Sequence, residues 1–313
     1  MSIGTAPGKV ILLGEHAVVY GTPAMAVPVS SVRARAEVVE LPPHEPSVIH
    51  ALDLGRVIVA DRVSGEETSD GLLVAYHNAL ELVGRSPEDA HLSLRVMSRI
   101  PVARGMGSGA AVAAAIIRAV AAHYQIEVAA DRLSALVYES ERIYHGSPSG
   151  IDNAVVSHEA PIYFQRGAEP EVLTNRVPLV LLVADTGLAS STREVVADVR
   201  RAYEQEPTRY QTLFDRIGDC VRVGRAALEQ GTPDGLGEAM RANHGYLQEM
   251  DVSHPALDAL VEAAMSAGAL GAKLSGSGRG GCMVALVAAE DRETVRRALV
   301  AAGAMHVMGT VIR

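Results

Sequence analysis

Apolar and polar positions alternate along much of the first hundred residues. "HLSLRVMSRI" (91–100) sets Leu92, Leu94 and Val96 on one side of a strand, and "VRARAEVVEL" (32–41) alternates as clearly. "KVILLGE", "AMAVPV", "SVIHALD" and "RVIVADRV" supply shorter strand candidates. The pattern turns helical over 70–82, 110–124 and 130–144; the second of these stretches holds neither Gly nor Pro. "APIYFQR" and "LVLLVADTG" return to strand. From Ser191 the chain reads as mainly helical until "GAKLSGSGRGGCMVALV" and a last strand-like "MHVMGTVI". Strands and helices mix without strict βαβ alternation, which predicts an α+β fold. A shift in composition near Arg176 predicts two domains, 1–176 and 177–313.

The pattern breaks most sharply at "IPVARGMGSGAAVAAAIIRAV" (100–120), where Gly105, Gly107 and Gly109 stand between a strand and an alanine-rich helix. Such a turn aims backbone N–H groups and a helix N-terminus at one point, the arrangement that receives an anion. Two familiar phosphate loops do not fit. A Walker A loop needs Gly-Lys-Ser/Thr, and this one runs Gly109-Ala110-Ala111. A dinucleotide fingerprint needs a second strand ending in an acidic residue about 20 positions on. Glu127 lies near that distance, but "YQIEVAADRL" is a poor strand. A glycine turn that only packs well stays open as the alternative.

Composition narrows the partners. The 313 residues, 48% of them apolar, can bury a large core, filled by Leu, Val, Ile and Ala because Trp is absent and Phe occurs twice. A net charge of −9 without a Lys/Arg block argues against nucleic acid and anionic membrane surfaces. No run reaches the about 18 apolar residues of a spanning helix, and "MSIGTAPGKVILLGEH" lacks the apolar centre of a signal peptide. Cys220 and Cys282 form no CxxC pattern. A cytoplasmic protein is expected.

Three segments carry candidate chemistry. In "APGKVILLGEHAVVYG" (6–21), Lys9 opens an apolar strand, as an exposed strand start or as a cation aimed into a cleft, and Glu15 and His16 follow the Gly14 turn. In "ESERIYHGSPSGIDNAV" (139–155), a turn over Ser147 to Gly150 delivers Asp152, either a helix N-cap or a rigidly held carboxylate. Glu141, on the preceding helix, is either solvated or a ligand for a metal facing phosphate. "KLSGSGRGGCMVAL" (273–286) holds a second glycine turn.

Together with "SSTREVV" and "VSHPALDALVEAAMSAGALGAKLSGSG", these segments resemble, in this order, the motifs of the GHMP small-molecule kinases, and within them the mevalonate kinase branch. The resemblance implies a two-domain α+β GHMP-kinase fold with the active site in the cleft between the domains. It implies ATP and Mg²⁺ as cofactors and transfer of the γ-phosphoryl group to the 5-hydroxyl of mevalonate. By motif, Asp152 matches the catalytic aspartate and Lys9 its cationic partner, both also facing the substrate. Glu15 and His16 match a substrate-side pair, and Arg193 in "SSTREVV" is available to a substrate carboxylate. Glu141 matches the magnesium-binding glutamate, with Ser108 as a further metal contact. Arg104, Gly105, Met106, Gly107, Ser108, Gly109 and Ala110 match the nucleotide loop, and Ser98 does so only loosely.

Two departures stand out. The family usually carries Gly-Leu-Gly-Ser-Ser where this chain has Gly105-Met106-Gly107-Ser108-Gly109, so a metal-binding serine is missing. Arg279 interrupts the glycine run of the third motif. The resemblance leaves open a neighbouring kinase for phosphomevalonate, homoserine or a sugar. A phosphorylated substrate would call for extra basic residues, and the substrate-side motifs supply only Lys9, to which His16 and His145 could add, enough for a substrate with one carboxylate. It also leaves open a catalytically silent module of the same fold, and a homodimer.

Overall fold

The computed structural model describes residues 1–60, 70–145 and 148–313. In chain order the strands are β1 (Ser2–Leu13), β2 (Ala24–Glu40), β3 (Val48–Ala51), β4 (Arg56–Val59) and β5 (Leu92–Ser98), with helices α1 (Gly71–Leu82) and α2 (Pro87–Ala90) before β5. Helices α3 (Ser108–His123), α4 (Ala130–His145) and α5 (Ile151–His158) follow, then β6 (Ile162–Phe164), β7 (Glu171–Val172) and β8 (Leu179–Asp185). Four helices come next: α6 (Thr192–Gln205), α7 (Pro207–Gln230), α8 (Pro233–Glu249) and α9 (Pro255–Ser266). The chain ends β9 (Gly271–Ser275), β10 (Cys282–Val287), α10 (Arg292–Ala301), β11 (His306–Ile312).

The chain divides into two compact units that it crosses repeatedly: residues 1–8, 32–101 and 107–159 form one, and residues 9–31, 102–106 and 160–313 the other. This differs from a single cut at Arg176. The reason is local: β1 and β2 are long strands that pair with each other and run from one unit into the other. The segments "AMAVPV" and "VRARAEVVEL", which read as separate strands, are one strand of 17 residues.

In the first unit, β2 pairs antiparallel with β5, from Ala34 opposite Ser98 to Glu40 opposite Leu92. β5 runs parallel to β3, and β3 and β4 form a hairpin. The "ADRV" end of the strand expected after Arg56 falls partly on 61–69, outside the described residues. Asp70 caps α1 by accepting from Leu72 N–H at 2.9 Å. Helices α1, α3, α4 and α5 pack on one another, and α3 also packs on β5. Alanines explain how α3 fits: a Cβ on Gly4 of β1 would lie 2.2 Å from the Ala115 carbonyl oxygen, so helix and strand backbones nearly touch.

In the second unit, the first residues of β2 pair with β6, which pairs with β7. A separate four-stranded antiparallel sheet has the order β11–β8–β10–β9. β10 is buried along its whole length, so "CMVALV" shows no alternation. Its core joins Leu182, Phe214, Ile217, Leu247, Leu274, Met283 and Leu299. No helix among the described residues is long and apolar enough to cross a membrane.

Candidate active site

The first glycine loop changes direction by left-handed residues: Ala103 at φ 57°, Gly105 at 72° and Gly107 at 67°. Gly107 is the N-cap of α3, with no side chain to satisfy the first turn and no acidic residue within it. By helix geometry, the N–H groups of Ser108, Gly109 and Ala110 have no intrahelical acceptor, and the helix dipole adds positive potential there. The loop is anchored from behind. Met106 is buried and its carbonyl accepts from Lys9 N–H at 2.9 Å. The Arg104 guanidinium lies 2.9 Å from the buried Asp185 carboxylate and donates to Gly187 O at 2.9 Å. Arg104 thus holds the loop to the end of β8.

The two glycine turns of the sequence meet in the second unit. A Cβ on Gly105 would lie 3.6 Å from Gly276 Cα, and one on Gly281 would lie 3.2 Å from Arg104 O. Glycine at these points lets two backbones come into contact.

The β1 side of the site is buried. Lys9 is 4% exposed, Glu15 1% and His16 6%. Glu15 pairs with Lys273 of β9, which is wholly buried and also donates to Leu274 O at 2.6 Å. Burial pushes the Glu15 carboxyl up against the opposing pull of Lys273 and Lys9, and burial pushes Lys273 down against the pull of Glu15. His16, at φ 60°, places Nε2 2.9 Å from Ser277 O. A carbonyl only accepts, so Nε2 carries the hydrogen and Nδ1 is left as an acceptor. Burial, aided by the charges of Arg279 and Lys273, lowers the His16 pKa to about 4, and the ring is neutral at physiological pH.

Behind this row, Gly14 N–H donates to Asn243 Oδ1 at 3.0 Å. Ser275 Oγ accepts from Ile11 N–H and donates to Ile11 O, at 2.9 and 3.0 Å. Ser277 Oγ lies 3.3 Å from both Ser190 Oγ and Thr192 Oγ1, so the start of α6, where exposed Arg193 sits, docks on the third-motif turn. The sequence reading missed Lys273, Asn243, Ser275 and Ser277. Lys273 alone had a signal: a lysine inside "GAKLS", among otherwise small or apolar residues.

In the first unit, Gly150 at φ 94° is the N-cap of α5, and Asp152 stands in the first turn, where the helix dipole favours a carboxylate. Asp152 is therefore not the cap. Next to it, buried Asn153 donates to Ser134 Oγ at 2.8 Å and ties α5 to α4. Glu141 of α4 is 3% exposed. Gly146, Ser147 and the side chain of His145 lie outside the described residues. Ser98 ends β5: its N–H donates to Asp53, and its hydroxyl accepts from Ile100 N–H at 3.1 Å in a local turn. Among the described residues no group of three or more His, Cys, Asp or Glu could hold a metal ion. One buried carboxylate suits a Mg²⁺ that arrives with phosphate oxygens and water.

Residues 72–159 match the model of the GHMP kinase N-terminal domain, and residues 225–304 that of the GHMP kinase C-terminal domain. The mevalonate kinase of Pyrococcus abyssi is 34% identical over 96% of this chain and 93% of its own length. The chain belongs to the GHMP kinase family. The mevalonate kinase of Aeropyrum pernix is 32% identical over 90% of this chain and 87% of its own. The crystal structure of L. major mevalonate kinase with R-mevalonate superposes with a TM-score of 0.84 at 28% identity, covering 100% of this chain and 96% of that one. The mixed helix-and-sheet GHMP kinase fold, with N- and C-terminal domains, is the one expected from the sequence.

Proposed function

We propose that this protein transfers the γ-phosphoryl group of ATP to the 5-hydroxyl of mevalonate, a step of isoprenoid precursor synthesis in the cytoplasm. The observation that carries the phosphoryl-transfer reading is the start of α3: a glycine cap, no side-chain cap and no acidic residue in the first turn. That arrangement receives phosphate oxygens and repels nothing. The choice of mevalonate is supported by relatives at 32–34% identity that carry that activity in their names.

Phosphoryl transfer asks a protein mainly for positioning and charge stabilisation. The N–H groups of Ser108 to Ala110 hold the phosphates. Asp152 orients the attacking hydroxyl and takes its proton, and Lys9 offsets negative charge on the transferring group. Glu15, neutral His16 and Arg193 bind mevalonate, Arg193 through the carboxylate. Glu141 and Ser108 would hold Mg²⁺, which would supply neutralisation of phosphate charge. As divisions of the sequence, we place 1–176 as the N-terminal domain bearing loop and aspartate and 177–313 as the C-terminal domain, although the compact units cross that boundary.

The test is ATP consumption by the purified protein with mevalonate, phosphomevalonate, homoserine and galactose in parallel. Mevalonate should give by far the highest kcat/KM. A tenfold advantage for another acceptor overturns the substrate, and no turnover with any of them overturns the kinase reading.

A further inference from the structure

Arg279 occupies a position where its own backbone favours glycine. Its φ is 55°, between Gly278 at 80° and Gly280 at 140°. A non-glycine residue is strained there, and Arg279 makes several contacts that offset the strain. Its N–H donates to Val252 O at 2.8 Å, and Nε donates to Asp251 O at 3.2 Å. The guanidinium pairs with Asp198 of α6 and lies 3.9 Å from the Asp251 carboxylate. Asp198 also pairs with Arg201 on its own helix. The Asp198 carboxyl is held below its usual range, first by the hydrogen bond from Arg279.

These contacts clamp one turn from two sides. Val252 O presses on Gly278, where an added Cβ would lie 1.9 Å away. The same turn presents Ser277 O to His16 and Ser277 Oγ to Ser190 and Thr192. From these contacts we infer that Arg279 is a positioning residue for substrate binding: by tying the 276–281 turn to α6 and to the α8–α9 connection, it fixes the acceptor tautomer of His16 and the place of Arg193. Its charge, like that of Lys273, adds to the burial that keeps His16 neutral. A glycine at 279 leaves the turn to its own conformational freedom; arginine converts it into a fixed bracket. This inference rests on the proposed function only for the substrate it names.

The experiment compares the full-length protein with Arg279→Gly and Arg279→Lys. In Arg279→Gly, amide hydrogen exchange over 276–281 and the first turn of α6 should quicken by about tenfold, as expected for loss of contacts worth about 1.4 kcal/mol. The His16 pKa, followed by NMR, should rise above about 4 as the Arg279 charge is lost, while burial keeps it below 6.5. KM for mevalonate should rise about three- to tenfold with KM for ATP within about twofold, the signature of lost uniform binding on one side. Arg279→Lys should restore the His16 pKa in part, through charge, without restoring slow exchange. A fall in melting temperature with exchange, His16 titration and mevalonate KM unchanged overturns the positioning role and leaves a structural one. If the wild type does not use mevalonate, the proposed function fails, while exchange and His16 titration still decide the bracket.

Discussion

Lys273 and Glu15, 258 positions apart in sequence, form an ion pair that water does not reach: the lysine is 0% and the glutamate 1% exposed. Taking both charges out of water costs several kcal/mol per ion, so the pair adds little net stability, but breaking it leaves an uncompensated buried charge. What the pair does supply is a fixed Glu15 beside His16. Glu15 Oε2 has no hydrogen-bond partner among the described residues, which leaves it as an acceptor.

Lys273→Met should therefore destabilise the fold by about 3–5 kcal/mol, and adding Glu15→Gln should recover a large part of that loss. Urea unfolding of the two single variants and the double variant measures the coupling. Additive losses would show that the two side chains do not act as a pair.

Stability should also fall on acidification through two buried histidines. His16 and His244 both have pKa values lowered to about 4, chiefly by burial, against 6.5 in an unfolded chain. Above pH 6.5 the ring is neutral in both states and the full stability is present. As pH falls from 6.5 to 4, the unfolded state binds protons that the folded state refuses, and stability is lost. Below 4 the loss levels off. Each histidine contributes on the order of 3 kcal/mol to that drop. His244 is placed by Leu274 N–H, which lies 3.4 Å from Nδ1, and its Nε2 lies 3.3 Å from Asp258. Urea midpoints at pH 7.5, 6 and 5 should slope steeply in the wild type and less in His244→Gln. Equal slopes would remove His244 from the account.

Much of this was legible in the sequence where a local pattern carries the information. Leu92, Leu94 and Val96 mark β5 because one face of that strand is buried, and the Gly/Pro-free run after Gly109 marks α3. Asp70 is a cap of the ordinary kind. What the sequence hid is long-range or masked by surroundings. α10 buries only Val295 and Leu299, one turn apart, inside a charged stretch. The Glu15–Lys273 pair has no local trace, and neither does the meeting of Gly105 with Gly276. Arg279 read as an interruption of a glycine run, but its partners Asp198 and Asp251 come from elements far away in the chain.

The metal should depend on Glu141 more than on the hydroxyl missing at Gly109. Glu141 is a buried carboxylate on α4, whereas Gly109 lies in the first turn of α3 and offers only backbone. Mg²⁺ keeps several waters, so one absent hydroxyl is readily replaced. Gly109→Ser should change the half-saturating Mg²⁺ concentration by less than about threefold, and Glu141→Gln should raise it by about tenfold or more. Titrating activity with Mg²⁺ at saturating ATP checks both, and similar small effects from each would move the metal elsewhere.

Asp152 and Lys9 decide between an enzyme and a module that only binds. Because Gly150 and not Asp152 caps α5, Asp152→Asn removes no cap, and the helix dipole's share in folding is about 0.3–1 kcal/mol. A loss of activity in a folded variant then reads directly on chemistry. If Asp152 accepts the proton in the transition state, kcat and kcat/KM should fall together by about 10²- to 10⁴-fold, with ATP affinity nearly unchanged. Lys9 is 4% exposed and its backbone anchors Met106, so Lys9→Met keeps the backbone bond while it removes the charge and the donors of the ammonium. It should lower kcat as well, and the double variant should lose less than the product of the two losses if, as proposed, both groups serve the same charge. Single-turnover kinetics with circular dichroism as the folding control measures all three. Near-full turnover in Asp152→Asn, or losses that multiply cleanly, would sink the assignment of this pair as acting together.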